Sequence, residues 1–254
     1  MTRPAAAAAP GSRPRALIVR APGTNRDSDA ALALDCAGAD PHVVLLSEVL
    51  ADPSLLHRSQ LLLLPGGFSF ADALGAGRLF GLELLTRLRD ELTSFVAAGK
   101  PVIGICNGFQ ALIRTGLLPG ADRTVALGAN DHGRFVCDWV ELAPVSQKCV
   151  WTAGLADRIE CPIAHGEGRF VCDDATLAAL AAGDQIALRY TSPNPNGSLD
   201  NIAGICDTTG VVLGLMPHPE DHVLSRQHPQ FLRGHRGGLG LGLFAAGVRH
   251  AREL

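Results

Sequence analysis

A cysteine flanked by glycines is the side chain in this sequence whose setting best suits nucleophilic chemistry. Residues 104–108 read G-I-C-N-G; a short β-branched run precedes them and a stretch with helical spacing follows. Glycines on both sides let a nucleophile occupy a strained turn from a strand into a helix, and the amino end of that helix favours the thiolate. We therefore predict that Cys106 is a nucleophile and that the backbone N–H of Asn107 stabilises an oxyanion. The alternative is a cysteine that only packs in a tight turn.

A thiol nucleophile needs a base, and residues 216–220, M-P-H-P-E, supply a candidate. They follow an apolar run, so His218 and Glu220 are expected at a strand end, where residues two apart point the same way. Open α/β sheets place their sites at such strand ends. Glu220 would hold the imidazole of His218 in the orientation that accepts the thiol proton. The alternative is a surface histidine in a proline-rich turn.

A third feature is the pair of glycines that follows a run of four leucines at 61–64. Gly66 and Gly67, with Phe68 after them, come directly after Pro65. Glycines allow a backbone to approach a ligand closely and to present its N–H groups. We predict that this turn lies against a bound ligand, although an ordinary turn has the same composition.

The elements that must position these residues follow an α/β pattern. In the first half, short apolar runs alternate with amphipathic stretches, which is typical of a parallel sheet covered by helices. The second half indicates a β-rich elaboration of that sheet. We therefore predict an α/β fold with a mostly parallel central sheet flanked by helices. The predicted strands are 16–21, 42–46, 61–64, 101–105, 134–142, 163–171, 186–190, 202–206 and 211–216, and the predicted helices are 27–37, 81–98, 110–115 and 241–250.

Several motifs resemble a known family in their order and separation. P-G-G-F at 65–68, G-I-C-N-G-F-Q at 104–110 and M-P-H-P-E at 216–220 resemble the class I, triad-type glutamine amidotransferases. P-I-A-H-G-E-G-R-F at 162–170 and the segment 193–205, which contains N-P-N-G-S and N-I-A-G-I, resemble the glutaminase subunits of phosphoribosylformylglycinamidine synthases, of purine biosynthesis. The resemblance extends over about residues 16–220 and implies a flavodoxin-like sheet.

The resemblance implies a role for each motif. Cys106 would attack the side-chain amide of glutamine and form a γ-glutamyl thioester, releasing ammonia, while His218 acts as base and then acid and Glu220 orients it. The family pattern usually continues H-P-E-R, whereas here Asp221 follows Glu220; we expect this to affect a local salt bridge or a partner contact rather than catalysis. The substrate-binding and oxyanion group would comprise Gly66, Gly67 or Phe68, Asn107 and Gln110. His165, Glu167 and Arg169 would shape the glutamine pocket or a partner surface, with a purely structural hairpin as the alternative.

The same resemblance implies a partner. Amidine formation costs ATP, yet the sequence contains no G-x-x-x-x-G-K-[ST] loop. We therefore expect no cofactor in this chain, and we expect ATP and magnesium to be used by a separate formylglycinamide ribonucleotide synthetase subunit that receives ammonia through a channel. A small accessory subunit is left open. The alternatives are a glutaminase subunit of another amidotransferase, a γ-glutamyl hydrolase, or a non-catalytic structural or regulatory subunit.

Composition excludes several other classes of function. The 254 residues carry a net charge of −3 and no apolar run of the roughly 18 residues that a membrane span requires, so we predict neither a nucleic-acid nor a membrane partner. Seven cysteines without a C-x-x-C pair predict a reduced, cytoplasmic protein. His218, Glu220 and His222 lie close in sequence, but without a further ligand cluster we predict no metal site. Residues 1–15 are predicted to be a disordered tail, and residues 16–254 a single amidotransferase domain.

Overall fold

One mixed sheet of nine strands organises the chain. The computed structural model describes residues 13–120, 123–191 and 193–254. The strands are β1 (Arg15–Arg20), β2 (Asp40–Leu45), β3 (Leu61–Leu64), β4 (Val102–Ile105), β5 (Ala126–Ala129), β6 (Val136–Pro144), β7 (Ile159–His165), β8 (Glu167–Val171), β9 (Ile186–Tyr190), β10 (Ile202–Cys206) and β11 (Val212–Leu215). The helices are α1 (Asp27–Cys36), α2 (Leu46–Ala51), α3 (Ser54–His57), α4 (Arg78–Arg87), α5 (Arg89–Ala97), α6 (Asn107–Thr115), α7 (Asp174–Ala182) and α8 (Leu241–Arg252).

The order of strands brings three strand ends together. The sheet runs β2-β1-β3-β4-β11-β10-β9-β6-β7; the first five strands are parallel to one another, and the next four are antiparallel. Leu64 is in register with Gly104, and Leu215 with Ile105, so β3, β4 and β11 end side by side. All residues of these three strands are buried, which matches their uninterrupted apolar sequences. Their carboxyl ends therefore deliver three loops to one edge of the sheet.

The α/β class is confirmed, and so is the β-rich second half, which extends the parallel sheet and adds a small sheet of β5 and β8. Two predicted elements are wrong in detail. Residues 163–171 are two strands that belong to different sheets, because the chain turns at Gly166. The helix predicted over 81–98 begins at Arg78 and is broken at Leu88, whose φ of −133° is not helical.

Some elements carry too little pattern to be predicted from sequence. The sequence pattern does not predict helices α2, α3 and α7 or strand β5. Helix α6 begins three residues earlier than predicted. Of the predicted tail, residues 1–12 lie outside the described residues, while Arg15 is already part of β1. The single-domain prediction for residues 16–254 stays a prediction. No helix within the described ranges combines the length and apolarity needed to cross a membrane.

Candidate active site

Cys106 occupies the turn between β4 and α6. Its backbone has φ 51° and ψ −106°, a left-handed conformation that side chains other than glycine rarely adopt and that functional sites often retain. Two residues later, close packing of the backbone requires glycine at position 108. A Cβ on Gly108 would lie 1.9 Å from the carbonyl oxygen of Leu64, so α6 can pack on β3 only with glycine there. The turn thus places the buried thiol at the amino end of α6, as predicted.

His218 and Glu220 lie beside this thiol. They follow β11, and the backbone N–H of His218 donates to the carbonyl of Pro162 at 2.9 Å. Nδ1 of His218 donates to Oε1 of Glu220 at 2.7 Å, and the residues are only 3% and 0% exposed. Burial disfavours the imidazolium, but the charges of Glu220 and of the Cys106 thiolate, together with hydrogen bonds to both, hold the pKa of His218 well above its ordinary value. The site therefore favours a proton on His218 when Cys106 is a thiolate.

The glycine turn after β3 closes the third side of the site. The N–H of Phe68 donates to the carbonyl of Gly23 at 3.0 Å, so it is not free to bind an oxyanion. The N–H of Gly67 and that of Asn107 donate to no acceptor in the part of the chain that the structure describes. Gly66 is required for a different reason: a Cβ there would lie 2.6 Å from Cε1 of His218. Of Gly67 and Phe68, between which the sequence left the choice open, only Gly67 has an N–H without an acceptor among the described residues, and its role as an oxyanion donor stays a prediction.

A polar network fixes the helix side of the site. Nδ2 of Asn107 donates to Asp72 and to Oε1 of Gln110 at 2.9 and 3.0 Å, and its Oδ1 accepts the N–H of Ser69 at 3.1 Å. Nε2 of Gln110 donates to the carbonyl of Glu167 at 2.6 Å. Gln110 therefore links α6 to β8 through its amide, and its expected contact with glutamine stays a prediction. Asp72 was missed by sequence reasoning; burial, together with the charge of Glu167, raises the pKa of its carboxyl.

These elements enclose a cavity of about 190 Å³ with Cys106 in its wall. Of the residues predicted for the pocket, Gly67, Phe68, Gln110, His165 and Glu167 line it, whereas Gly66, Asn107 and Arg169 do not. Asp72 and the half-exposed Phe135 also line it, and neither belongs to a motif that the sequence singled out. The cavity has two carboxylates in its lining and no lysine or arginine among the described residues.

Among the residues that the structure describes, proximity alone suggests two groups of side chains that could hold a cation. His218, Glu220 and Asp221 form one group, and Glu160, His228 and His235 the other. In the first, Nδ1 of His218 is committed to Glu220. In the second, Nδ1 of His228 accepts the N–H of Gln230, so its Nε2 carries the proton and faces Glu160 as a donor. Neither group therefore offers a full set of free ligand atoms, and the metal-free prediction stands as a prediction.

Comparisons with known proteins agree with this geometry. Residues 13–251 match the model of the CobB/CobQ-like glutamine amidotransferase domain. A phosphoribosylformylglycinamidine synthase subunit PurQ from Treponema denticola is 46% identical over 94% of this chain and 99% of the relative. The PurQ of Dehalococcoides mccartyi is 40% identical over 96% of this chain and all of the relative. A chain in the structure of PurLQS from Thermotoga maritima superposes with a TM-score of 0.75 at 35% identity, covering 93% of this chain and 98% of that one. The resemblance inferred from the motifs is confirmed.

Proposed function

We propose that this chain, which belongs to the family of PurQ subunits of phosphoribosylformylglycinamidine synthase, hydrolyses glutamine and supplies the ammonia to a separate synthetase subunit. The observation that carries the proposal is the buried pair of His218 and Glu220, 2.7 Å apart, beside a cysteine at the amino end of a helix. A base held by a carboxylate next to a thiol is the arrangement that acyl transfer requires. The relatives that carry the PurQ name match almost the whole chain.

The first half-reaction forms a thioester. The thiol of Cys106 gives its proton to His218, and the sulfur attacks the γ-carbonyl carbon of glutamine. The carbonyl oxygen gains negative charge, which the N–H groups of Gly67 and Asn107 stabilise. The imidazolium then protonates the amide nitrogen, the C–N bond breaks, and ammonia leaves. Glu220 keeps the proton-accepting nitrogen of His218 directed at the sulfur throughout.

The second half-reaction regenerates the thiol. His218, neutral again, takes a proton from water, whose oxygen attacks the thioester carbon. The same two N–H groups receive the oxyanion, the C–S bond breaks, and the thiolate recovers its proton from His218. Glutamate leaves, so each cycle consumes one glutamine and one water and releases one glutamate and one ammonia.

The ammonia is used elsewhere. A partner in a shared assembly accepts it, as the likeness to a chain of the PurLQS structure supports. We propose that this partner is the synthetase that uses ATP and magnesium to convert formylglycinamide ribonucleotide to the amidine, and that this chain holds no cofactor of its own. We also propose a cytoplasmic setting, which the free state of all seven cysteines supports.

Glutamine hydrolysis by wild type and Cys106→Ser tests the proposal. Each is assayed alone and with the cognate synthetase, ATP and formylglycinamide ribonucleotide. Wild type is expected to form glutamate and the amidine in the full mixture, and the variant is expected to support the amidine only when ammonium is added. A folded wild type that leaves glutamine untouched in every mixture would refute the assignment.

A further inference from the structure

His165 lies at the end of β7 and lines the same cavity as Cys106, but the mechanism above gives it no role. The residue is 3% exposed, and its Nε2 has no hydrogen-bond partner among the described residues. A buried polar atom without a partner costs about 1–3 kcal/mol, so native structures retain one mainly where a ligand or water pairs with it. The atom needs a partner that the described protein does not provide.

Asn130 determines which kind of partner this is. Nδ2 of Asn130 donates to the carbonyls of Arg134 and His165, both at 2.9 Å. Its Oδ1 must therefore act as the acceptor in the 3.1 Å contact with Nδ1 of His165, so the proton of the neutral imidazole is on Nδ1. Nε2 consequently carries a lone pair, and only a donor can satisfy it. Burial and the charge of His218 lower the pKa of His165 to about 4, so the ring stays neutral at physiological pH.

The local sequence holds the ring in this position. A Cβ on Gly168 would lie 2.4 Å from Cε1 of His165, so the imidazole packs directly on the backbone of β8. The glycine of the A-H-G-E-G-R-F motif thus permits the histidine of the same motif to occupy its place. Together with the Asn130 contacts, this packing leaves the ring little freedom to rotate and present Nδ1 instead.

Two groups on glutamine could donate to this atom, the α-ammonium and the γ-carboxamide N–H. Asp72 and Glu167 line the cavity and are better partners for a cation than a neutral imidazole is. His165 also lies on the side of the cavity where Cys106 would attack the substrate, because the sulfur of Cys106 lies 3.9 Å from the carbonyl oxygen of the adjacent Ala164. The geometry thus favours the carboxamide.

We propose that Nε2 of His165 accepts a hydrogen bond from the γ-carboxamide N–H of glutamine and so orients the scissile amide, with its oxygen toward the N–H groups of Gly67 and Asn107. This inference rests on the proposed function. It also gives the site a means of distinguishing substrate from product. The carboxylate of glutamate has only acceptors to offer, so an imidazole lone pair repels it, whereas the amide of glutamine pairs with it.

The test compares two ligands that both react with Cys106. Glutamine has the amide N–H, whereas its diazoketone analogue, 6-diazo-5-oxo-L-norleucine, has the same α-ammonium and alkylates the cysteine but has no amide N–H. His165→Phe is expected to lower kcat/KM for glutamine about 10- to 100-fold in the complete mixture, the usual effect of leaving one buried polar group unpaired. The rate of labelling by the diazoketone should stay at the wild-type value. His165→Gln, whose side-chain oxygen can accept a hydrogen bond, should recover part of the loss.

Each other result contradicts the inference in a distinct way. If His165→Phe slows labelling and glutamine turnover equally, the residue is structural or contacts the ammonium instead. If neither rate changes, Nε2 pairs only with water. If wild type labels normally but never hydrolyses glutamine in the complete mixture, the proposed function fails, and the role of His165 in it fails as well.

Discussion

The pairing of Glu220 with His218 can be tested by Glu220→Gln, which removes one charge and keeps the shape of the side chain. In the native site the carboxylate accepts from Nδ1 at 2.7 Å and stabilises the imidazolium that forms when Cys106 loses its proton. A glutamine at this position has no charge, and its amide N–H can also donate to Nδ1. That contact would reverse the tautomer and direct an N–H, rather than a lone pair, at the thiol.

The magnitude follows from the separation and the burial of the pair. Two charges about 4 Å apart in a protein site with an effective dielectric constant near 20 attract by about 4 kcal/mol. Since both side chains are shielded from water, screening by salt does little to reduce this value. This attraction stabilises only the charged form of His218, so losing it should lower kcat/KM about 1,000-fold. In Glu220→Gln, the effect of burial on the imidazolium outweighs the remaining stabilising charges, so the pKa of His218 should fall relative to wild type.

The assay is glutamate release in the complete mixture, combined with the pH dependence of Cys106 labelling by the diazoketone. Asp221→Asn is the matched control, because it removes the same charge one residue away without touching an imidazole nitrogen. Glu220→Gln should shift the alkaline limb of the labelling profile to lower pH. The control should shift it less, because the charge of Asp221 also acts on His218 but no hydrogen bond to the imidazole is lost. Equal losses in the two variants, or a loss under about tenfold in Glu220→Gln, would show that the charge of Glu220 is not what activates the site.

Two further predictions concern stability. Gly108→Ala places a Cβ against the carbonyl of Leu64, and the backbone cannot move aside there, so the free energy of unfolding should fall by about 3 kcal/mol and Tm by about 6–12 °C. Gly237→Ala is the control, because nothing lies within 4 Å of a Cβ at that position. Equal melting temperatures in the two variants would contradict this account of α6 packing. Asp221→Asn should raise Tm above pH 6. Burial and the charge of Glu220 raise the pKa of Asp221 to about 6 in the folded protein, so the wild type loses stability as pH rises from about 4 through 6. A gain in Tm that persists unchanged below about pH 4 would point to another cause.

The arrangement of the candidate catalytic residues could be predicted from sequence because each part is encoded locally. A buried run, a glycine-flanked cysteine and a helical pattern place Cys106 at the amino end of a helix. Buried runs also precede the glycine turn at Gly66 and the histidine at His218, and parallel strands with apolar sequences end at one edge of a sheet. The convergence therefore needed no information about contacts distant in sequence.

Other parts of the site depend on contacts between distant segments, which a single sequence does not reveal. The N–H of Phe68 is occupied by a hydrogen bond to the carbonyl of Gly23, 45 residues away. Asp72 enters the cavity from a turn in which Phe70, Ala71 and Asp72 all have positive φ, a conformation that their residue types do not predict. The division of 163–171 into two strands is equally hidden. Buried positions fall on odd-numbered residues in β7 and on even-numbered residues in β8, and this change at the turn is visible only in the folded structure.

The departure from the family pattern at Asp221 illustrates how a charge can be supplied from elsewhere in the fold. A carboxylate next to buried Glu220 is unfavourable, since burial and the charge of Glu220 raise the pKa of Asp221. Arg26, directly before α1, places its Nε 3.7 Å from Asp221, and its charge also interacts with that of Glu220. A cation thus lies beside the buried carboxylates, although it comes from a segment almost 200 residues earlier in the chain. The expectation that the change affects a local salt bridge or a partner contact rather than catalysis stays a prediction. This placement supports it, because Arg26 contacts Asp221 while Glu220 keeps its hydrogen bond to His218.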